Sequence, residues 1–256
     1  MLKTLTKLNP ASLLGRLVRL PLRLVPPTHI AKVRGGINKG ARWIVGSSNH
    51  GCWLGTYEND KQALVSRVVH PGMVVWDVGA NAGFYTLAFS HLVGRTGRVY
   101  AFEPFAENVN NLLKHVRLNG LENTTVVQAA LVDQTGLARF SIAASNSMGC
   151  ISEEHTPYVV PTYAVDEFLR YFPDACPQLL KIDVEGAEAG LLSGASQLLN
   201  QFGPAILLAL HGETQCRECR EILVSHGYRL YYLDSSAADT LPFRSDEIYA
   251  LKSKPL

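Results

Sequence analysis

Several acids and one histidine stand at points of this chain where a ligand could be held or a proton moved. Asp77 closes the apolar run Met73-Val74-Val75-Trp76 and is followed by Gly79, Asn81 and Gly83. Glu103 closes a second apolar run, Val99-Tyr100-Ala101-Phe102, 24 residues after Gly79. Asp183 follows Leu179–Ile182 and opens Asp183-Val184-Glu185-Gly186-Ala187-Glu188, and His211-Gly212-Glu213 follows another apolar run. Each sits where a buried strand would end. In an open α/β sheet, ligands bind at those carboxyl ends.

Spacing narrows the ligand. Gly-x-Asn-x-Gly over 79–83 departs from the Gly-x-Gly-x-x-Gly of a dinucleotide loop, whose diphosphate needs free amide donors at a helix N-terminus. Gly79 reads as a positive-φ turn open to a ligand, and Gly83 as a close approach of helix and strand. Asp77 would add a carboxylate to the loop, which repels phosphate and suits an α-amino group. Glu103, at the second tip, is placed for the two hydroxyls of a ribose. A ligand with an amino acid at one end and a ribose at the other is S-adenosylmethionine. An ordinary βα turn is the plainer reading, but two acids and two glycines in register favour the cofactor. Its contacts are assigned to Asp77, Gly79, Asn81, Gly83, Phe84 and Tyr85, to Glu103 and Pro104, to Ala130 at a third tip, and to Asp183 at the fourth.

Methyl transfer from a sulfonium asks for alignment and for removal of the acceptor's proton. Asp183 is a candidate base, and it could instead order the cofactor's amino group, hold a divalent ion or cap a helix. Glu185 and Glu188 favour the positive end of the following helix, and for Glu188 the cap is the leading reading. His211, taken as near neutral in pKa, is the second candidate base, balanced against a surface histidine in a turn. Asp183, His211 and Glu213 form a weak magnesium or manganese set, so no metal ligand is assigned and a metal requirement stays open.

The elements that must place these residues alternate in type. Strands are expected at 73–78, 99–103, 124–129, 179–183, 204–210, 228–233 and 247–251, with an added β segment over 136–143. Helices are expected at 59–69, 84–92, 104–119, 165–172, 185–200 and 215–225. The alternation implies a mainly parallel sheet. Residues 41–57 read as a hairpin ahead of it, and 145–157 as a polar mobile loop. The resulting division is a basic amphipathic extension (1–35), a hairpin preamble (36–56) and a main domain (57–256).

Composition excludes some classes. A 47% hydrophobic and 18% charged chain of 256 residues is globular. Residues 1–57 hold nine Lys or Arg and no acid, whereas the remainder has 15 bases against 22 acids. An acidic main domain is poorly suited to a phosphate backbone, so nucleic acid is not the expected partner. Five scattered cysteines point to a reducing compartment, hence the cytoplasm. Cys216 and Cys219 form a lone CxxC that reads as two half-buried thiols. Leu13, Leu17, Leu20 and Leu24 oppose Arg16, Arg19 and Arg23 on a helix broken by Pro10 and Pro21. A flap or dimer contact is the leading reading of that segment. Peripheral contact of residues 1–25 with an anionic membrane is the alternative.

Asp77–Thr86, Phe102-Glu103-Pro104, Asn108–Asn119 and Lys181–Glu188 resemble the FkbM family of S-adenosylmethionine-dependent methyltransferases. The resemblance spans roughly residues 55–233, and its 181–188 motif is fairly specific. It implies a Rossmann-like class I methyltransferase fold, with a seven-stranded, mostly parallel sheet and one antiparallel strand. It also implies O-methylation of a sugar, glycolipid precursor or other small hydroxylated acceptor, and a place for Tyr57-Glu58 near the cofactor. Tyr57-x-x-x-Lys61 is formally a short-chain dehydrogenase pair, but it precedes the glycine loop instead of following it. The rival from another class is a cofactor-binding module that no longer catalyses and is recruited through its basic N-terminus.

Overall fold

The protein is described by a computed structural model covering residue 22 and residues 24–142, 149–151 and 156–252. In chain order the elements are β1 (Ile30–Lys32), β2 (Arg42–Ile44), α1 (His50–Leu54), α2 (Asn59–Val68), β3 (Val74–Val78), α3 (Phe84–Val93), β4 (Arg98–Phe102), α4 (Ala106–Asn119), β5 (Thr124–Val127) and β6 (Ala130–Val132). They continue with β7 (Gly136–Ile142), β8 (Gly149–Ile151), β9 (Tyr158–Ala164), α5 (Val165–Tyr171), β10 (Leu179–Ile182), α6 (Glu188–Ser193), β11 (Ala205–Ala209), α7 (Glu213–Ser225), β12 (Tyr228–Tyr232) and β13 (Glu247–Lys252).

Seven strands pair in the order β12-β13-β11-β10-β3-β4-β5. Only β13 runs antiparallel to its neighbours. The central strands are apolar on both faces, as a sheet covered on both sides requires. Trp76, Phe102, Leu180 and Ile182 point into one core with Phe168 and Leu191. Val75, Leu179 and Leu207 point into the other with Leu87, Phe89 and Trp43. β3 and β10 are in register, which sets Lys181 beside Asp77 on the second face. That neighbour relation shapes the site.

A second sheet, β6-β9-β7-β8, lies outside the main one. The sequence supplied only β7 of it. β8 falls inside the stretch read as a polar loop (145–157), of which 145–148 and 152–155 lie outside the described residues. So do residues 1–21 and 23, and with them most of the amphipathic N-terminal stripe. Among the described residues no helix is long and apolar enough to cross a membrane.

Two elements differ from expectation for clear physical reasons. The hairpin forms earlier, with Ile30–Lys32 pairing Arg42–Ile44, and Cys52–Tyr57 is no strand. Asn49 accepts the Gly51 N–H at 2.9 Å and Gly55 closes the turn in the left-handed region, so a capped helix forms between them. The helix expected over 185–200 starts only at Glu188 and stops at Ser193, before Gly194. A Cβ at 194 would strike the Val132 carbonyl, and the chain then restarts with the Asp166 carboxylate accepting from the Gln197 and Leu198 N–H groups.

Candidate functional site

The tips of β4, β3 and β10 open onto one cavity of about 530 Å³. That volume lies within the roughly 300–1,000 Å³ of small-molecule sites. Glu103 lines one end, and Asp183, Glu185 and His211 line the other. Between them runs the glycine loop, with Gly79, Asn81, Phe84 and Tyr85 on the wall; Glu58, Pro104 and Ala130 also contribute. The structure thus brings together most of the residues singled out in the sequence. Asp77, Gly83 and Glu213 are not among them.

Asp77 is a correction. It lies inside β3 and not in the loop, and strand alternation turns it under α3, where it is fully buried. Thr86 Oγ1 donates to it at 2.6 Å and Lys181 Nζ stands 3.2 Å away. It therefore reaches a ligand only through Lys181, which also donates to the Gly79 carbonyl at 3.0 Å at the strand tip. Gly83 is likewise structural. A Cβ there would overlap Leu112 of α4, so its bareness serves helix against helix and not helix against strand. Gly79, at φ +72°, does turn as expected, and a Cβ would meet the Asp183 carbonyl oxygen. Glu213 opens α7 and is not among the residues that line the cavity.

Glu103 is buried and densely bonded. Oε2 accepts the Asn81 N–H at 2.8 Å, and Oε1 accepts from the Phe105 N–H at 3.0 Å and Asn108 Nδ2 at 3.3 Å. Burial nevertheless raises its pKa above the usual carboxylate range. A carboxylate has about four acceptor directions, so capacity remains for a ligand hydroxyl.

Two buried lysines knit the other end together. Lys61 stands 2.8 Å from Glu58, 2.5 Å from Glu247 and 3.8 Å from Asp183. Burial opposes its charge, but Glu247, Asp183 and Glu58 outweigh that and raise its pKa. Lys181 stands 3.6 Å from Asp183, and the same balance of burial against Asp77 and Asp183 raises it too. For Asp183, burial is more than offset by Lys181, Lys61 and His211, so its pKa is lowered and it stays ionised. Burial among these acids pushes Glu247 up to about 7.

His211 also departs from expectation. Its Nδ1 is 2.7 Å from Glu188 Oε1, and this bond, with Glu185 and Asp183 nearby, raises its pKa to about 9 against burial. This favours the imidazolium at neutral pH, a form with no lone pair with which to accept a proton. Glu188, expected as a helix cap, accepts the Gly186 N–H at 3.0 Å as well as holding His211. Among the described residues the grouping with metal-ligand geometry is Asp183, Glu185 and His211, with Glu185 in the place expected for Glu213.

The chain's preamble is part of the site. Trp43 stacks on His115, with centroids 3.9 Å apart, and both line or back the cavity wall. His115 is fully buried, contacts the Ala82 carbonyl through Nδ1 at 2.7 Å and accepts the Ile44 N–H through Nε2 at 2.9 Å. Asn38 Nδ2 donates to the Phe84 carbonyl at 2.7 Å. The hairpin thereby clamps the glycine loop. Cys216 and Cys219 lie on α7 as free thiols, Cys219 buried with its pKa pushed up by burial.

Residues 77–230 match the methyltransferase FkbM domain. The chain belongs to that family. A crystal structure of an FkbM methyltransferase from Methylobacillus flagellatus KT superposes with a TM-score of 0.52 at 20% identity, covering 70% of this chain and 43% of that one. A ribosomal protein L11 methyltransferase from Caldanaerobacter subterraneus subsp. tengcongensis is 29% identical over 127 residues, 49% of this chain and 35% of that protein. This FkbM-family chain therefore spans well under half the length of either relative. Its fold is that of the class I methyltransferases, with the seven-stranded sheet and single reversed strand that the sequence motifs imply. The family match begins at Asp77, so the hairpin, α1, α2 and the turn between those helices, which supply Trp43, Tyr57, Glu58 and Lys61, lie outside it.

Lys181, Glu247 and Asp246 were not singled out as site residues in the sequence, and Lys61 entered only as half of a discounted dehydrogenase pair. One signal was there: a lysine inside the apolar run Leu179-Leu180-Lys181-Ile182 requires a buried acid, and Asp77 on the neighbouring strand is that acid. Glu247 carried no such signal, because only the antiparallel return of β13 brings it beside α2.

Proposed function

We propose that this chain transfers the methyl group of S-adenosylmethionine to a hydroxyl oxygen of a sugar or another small hydroxylated acceptor. One observation carries the reading: a single cavity spans three adjacent strand tips, with Glu103 at one end and Asp183 at the other. The donor set fits this cofactor. Six carboxylates line the cavity (Glu58, Glu103, Asp183, Glu185, Asp246 and Glu247) against Lys181 and His211, so a cationic ligand is favoured and a diphosphate disfavoured. When bound, the cofactor supplies an electrophilic methyl carbon on a sulfonium.

The chain's own residues do the rest. Glu103 would hold a ribose hydroxyl, and Gly79, whose side-chain space the Asp183 carbonyl fills, would set the turn of the loop. Asp183, kept ionised by Lys181 and Lys61, accepts the acceptor's hydroxyl hydrogen and takes its proton as the new C–O bond forms. His211, 3.9 Å from Asp183 Oδ1, adds positive charge beside that carboxylate. Ser48, Asn49 and Ser245 add neutral hydrogen-bonding groups to the wall, which suits a hydroxyl-rich acceptor. The acids there disfavour a nucleic-acid acceptor.

The test is incubation of the full chain with methyl-labelled S-adenosylmethionine and a panel of glycosides, hydroxylated small molecules, amines and RNA. Label is expected in a base-stable ether of a hydroxylated acceptor. Label confined to amines or RNA would overturn the oxygen assignment, and cofactor binding without transfer to any acceptor would favour the non-catalytic module.

A further inference from the structure

Three ligand atoms converge beside the acceptor end of the cavity. Asp183, Glu185 and His211 each offer one, all within 4.8 Å of one another. His211 Nε2 lies 3.4 Å from Glu185 Oε2 and 3.9 Å from Asp183 Oδ1. Both separations exceed a direct N–H···O bond, which runs about 2.7–3.2 Å. They approach the edges of a coordination shell, because ligands about 2.0–2.2 Å from a divalent ion sit roughly 3–3.6 Å apart.

The surroundings point the same way independently. Glu188 is fully buried and bonded to His211 Nδ1 at 2.7 Å. A carboxylate behind one ring nitrogen is the arrangement that fixes a ligating histidine and aims its other nitrogen at a metal. The second Glu188 oxygen, Oε2, is buried with no hydrogen-bond partner among the described residues. Asp183 is divided in use: Oδ2 faces Lys181 and Lys61, while Oδ1 faces His211. Binding of the ion displaces the Nε2 proton of His211 to solvent, and one neutral imidazole with two carboxylates suits manganese or magnesium, neutralising the ion's two charges.

We infer that Asp183, Glu185 and His211 form a divalent-cation site of the manganese/magnesium class that grips an oxygen of the methyl acceptor. Binding of the ion stands on the three side chains alone; its role rests on the methyl-transfer reading above. There it lowers the pKa of the acceptor hydroxyl. The hydroxyl proton passes to Asp183, the oxygen bonds to the methyl carbon, and the carbon–sulfur bond breaks to leave the thioether.

The experiment is electron paramagnetic resonance titration of the full chain with manganese chloride, with Glu185→Gln and His211→Gln alongside. Glu185 is partly exposed, so its variant is expected to fold, and circular dichroism checks this. One manganese per chain is expected, bound at least ~10-fold more weakly by each variant, since losing one ligand costs on the order of 1.4 kcal/mol or more. S-adenosylhomocysteine affinity, measured by calorimetry on metal-free samples, should stay within about threefold in Glu185→Gln, because the Glu103 end is untouched. Equal manganese binding by wild type and variants, or no site tighter than about 1 mM, would overturn the inference. If wild type binds manganese but not S-adenosylhomocysteine, the metal site stands and the cofactor reading fails.

Discussion

Replacing Lys181 by methionine removes the one ammonium that Asp77 touches while keeping the length of the side chain. Lys181 and Asp77 are both buried, 3.2 Å apart on adjacent strands. After the change, Asp77 keeps only the Thr86 hydroxyl, and the Gly79 carbonyl loses its donor. Breaking a buried pair by removing one partner costs about 3–5 kcal/mol. For a domain of this size, ~2–4 °C of melting temperature accompanies each kcal/mol, so a fall of roughly 6–20 °C is expected by calorimetry. Pairing the change with Asp77→Asn should recover part of that loss, because the uncompensated carboxylate is then gone. The double variant should melt above the sum of the two single effects by an amount equivalent to about 0.5–3 kcal/mol. A fall below about 3 °C in Lys181→Met, or strict additivity in the double variant, would refute the structural role given to Asp77.

Three further outcomes are expected. Glu103→Gln places an amide against the Asn81, Phe105 and Asn108 donors and removes a charged acceptor worth about 1.5–3 kcal/mol, so S-adenosylmethionine affinity should drop ~10–150-fold by calorimetry. His115→Ala unpairs the Ala82 carbonyl and the Ile44 N–H and empties the face of Trp43; a loss of about 3 kcal/mol in urea unfolding is expected, and no loss would disprove the clamp. The pH dependence of stability should have two limbs. His211, raised to about 9, contributes stability that is complete below its unfolded pKa near 6.5 and is lost as pH rises toward 9. His115, lowered to about 4 by burial, stays neutral in the folded protein while the unfolded chain takes up the proton as pH falls from 6.5 to 4, so its contribution is lost on the acid side. His211→Gln should flatten the alkaline limb and His115→Gln the acid one in pH-resolved thermal melts; unchanged limbs would contradict both assignments.

The sheet was legible because apolar runs ending in acids are what a doubly covered parallel sheet requires, and β3, β4, β10 and β11 formed within a residue or two of where those runs lie. The second sheet was not, since β8 and β9 are short, polar or proline-containing segments whose strand character depends on pairing with β7. In the site, the tip rule located Glu103, Asp183 and His211 but misplaced Asp77, because it ignored the face on which strand alternation sets that residue. The protonation of His211 was also out of reach: Glu188 lies 23 residues earlier in sequence, and only the packing of α6 at the β11 tip joins them.

The central claim is that one cavity holds a sulfonium nucleoside between Glu103 and Asp183. A crystal structure with S-adenosylhomocysteine tests it most directly. A ribose hydroxyl is expected about 3 Å or less from the Glu103 carboxylate, with the thioether directed toward Asp183. A nucleoside bound elsewhere, or one whose ribose makes no contact with Glu103, would contradict it.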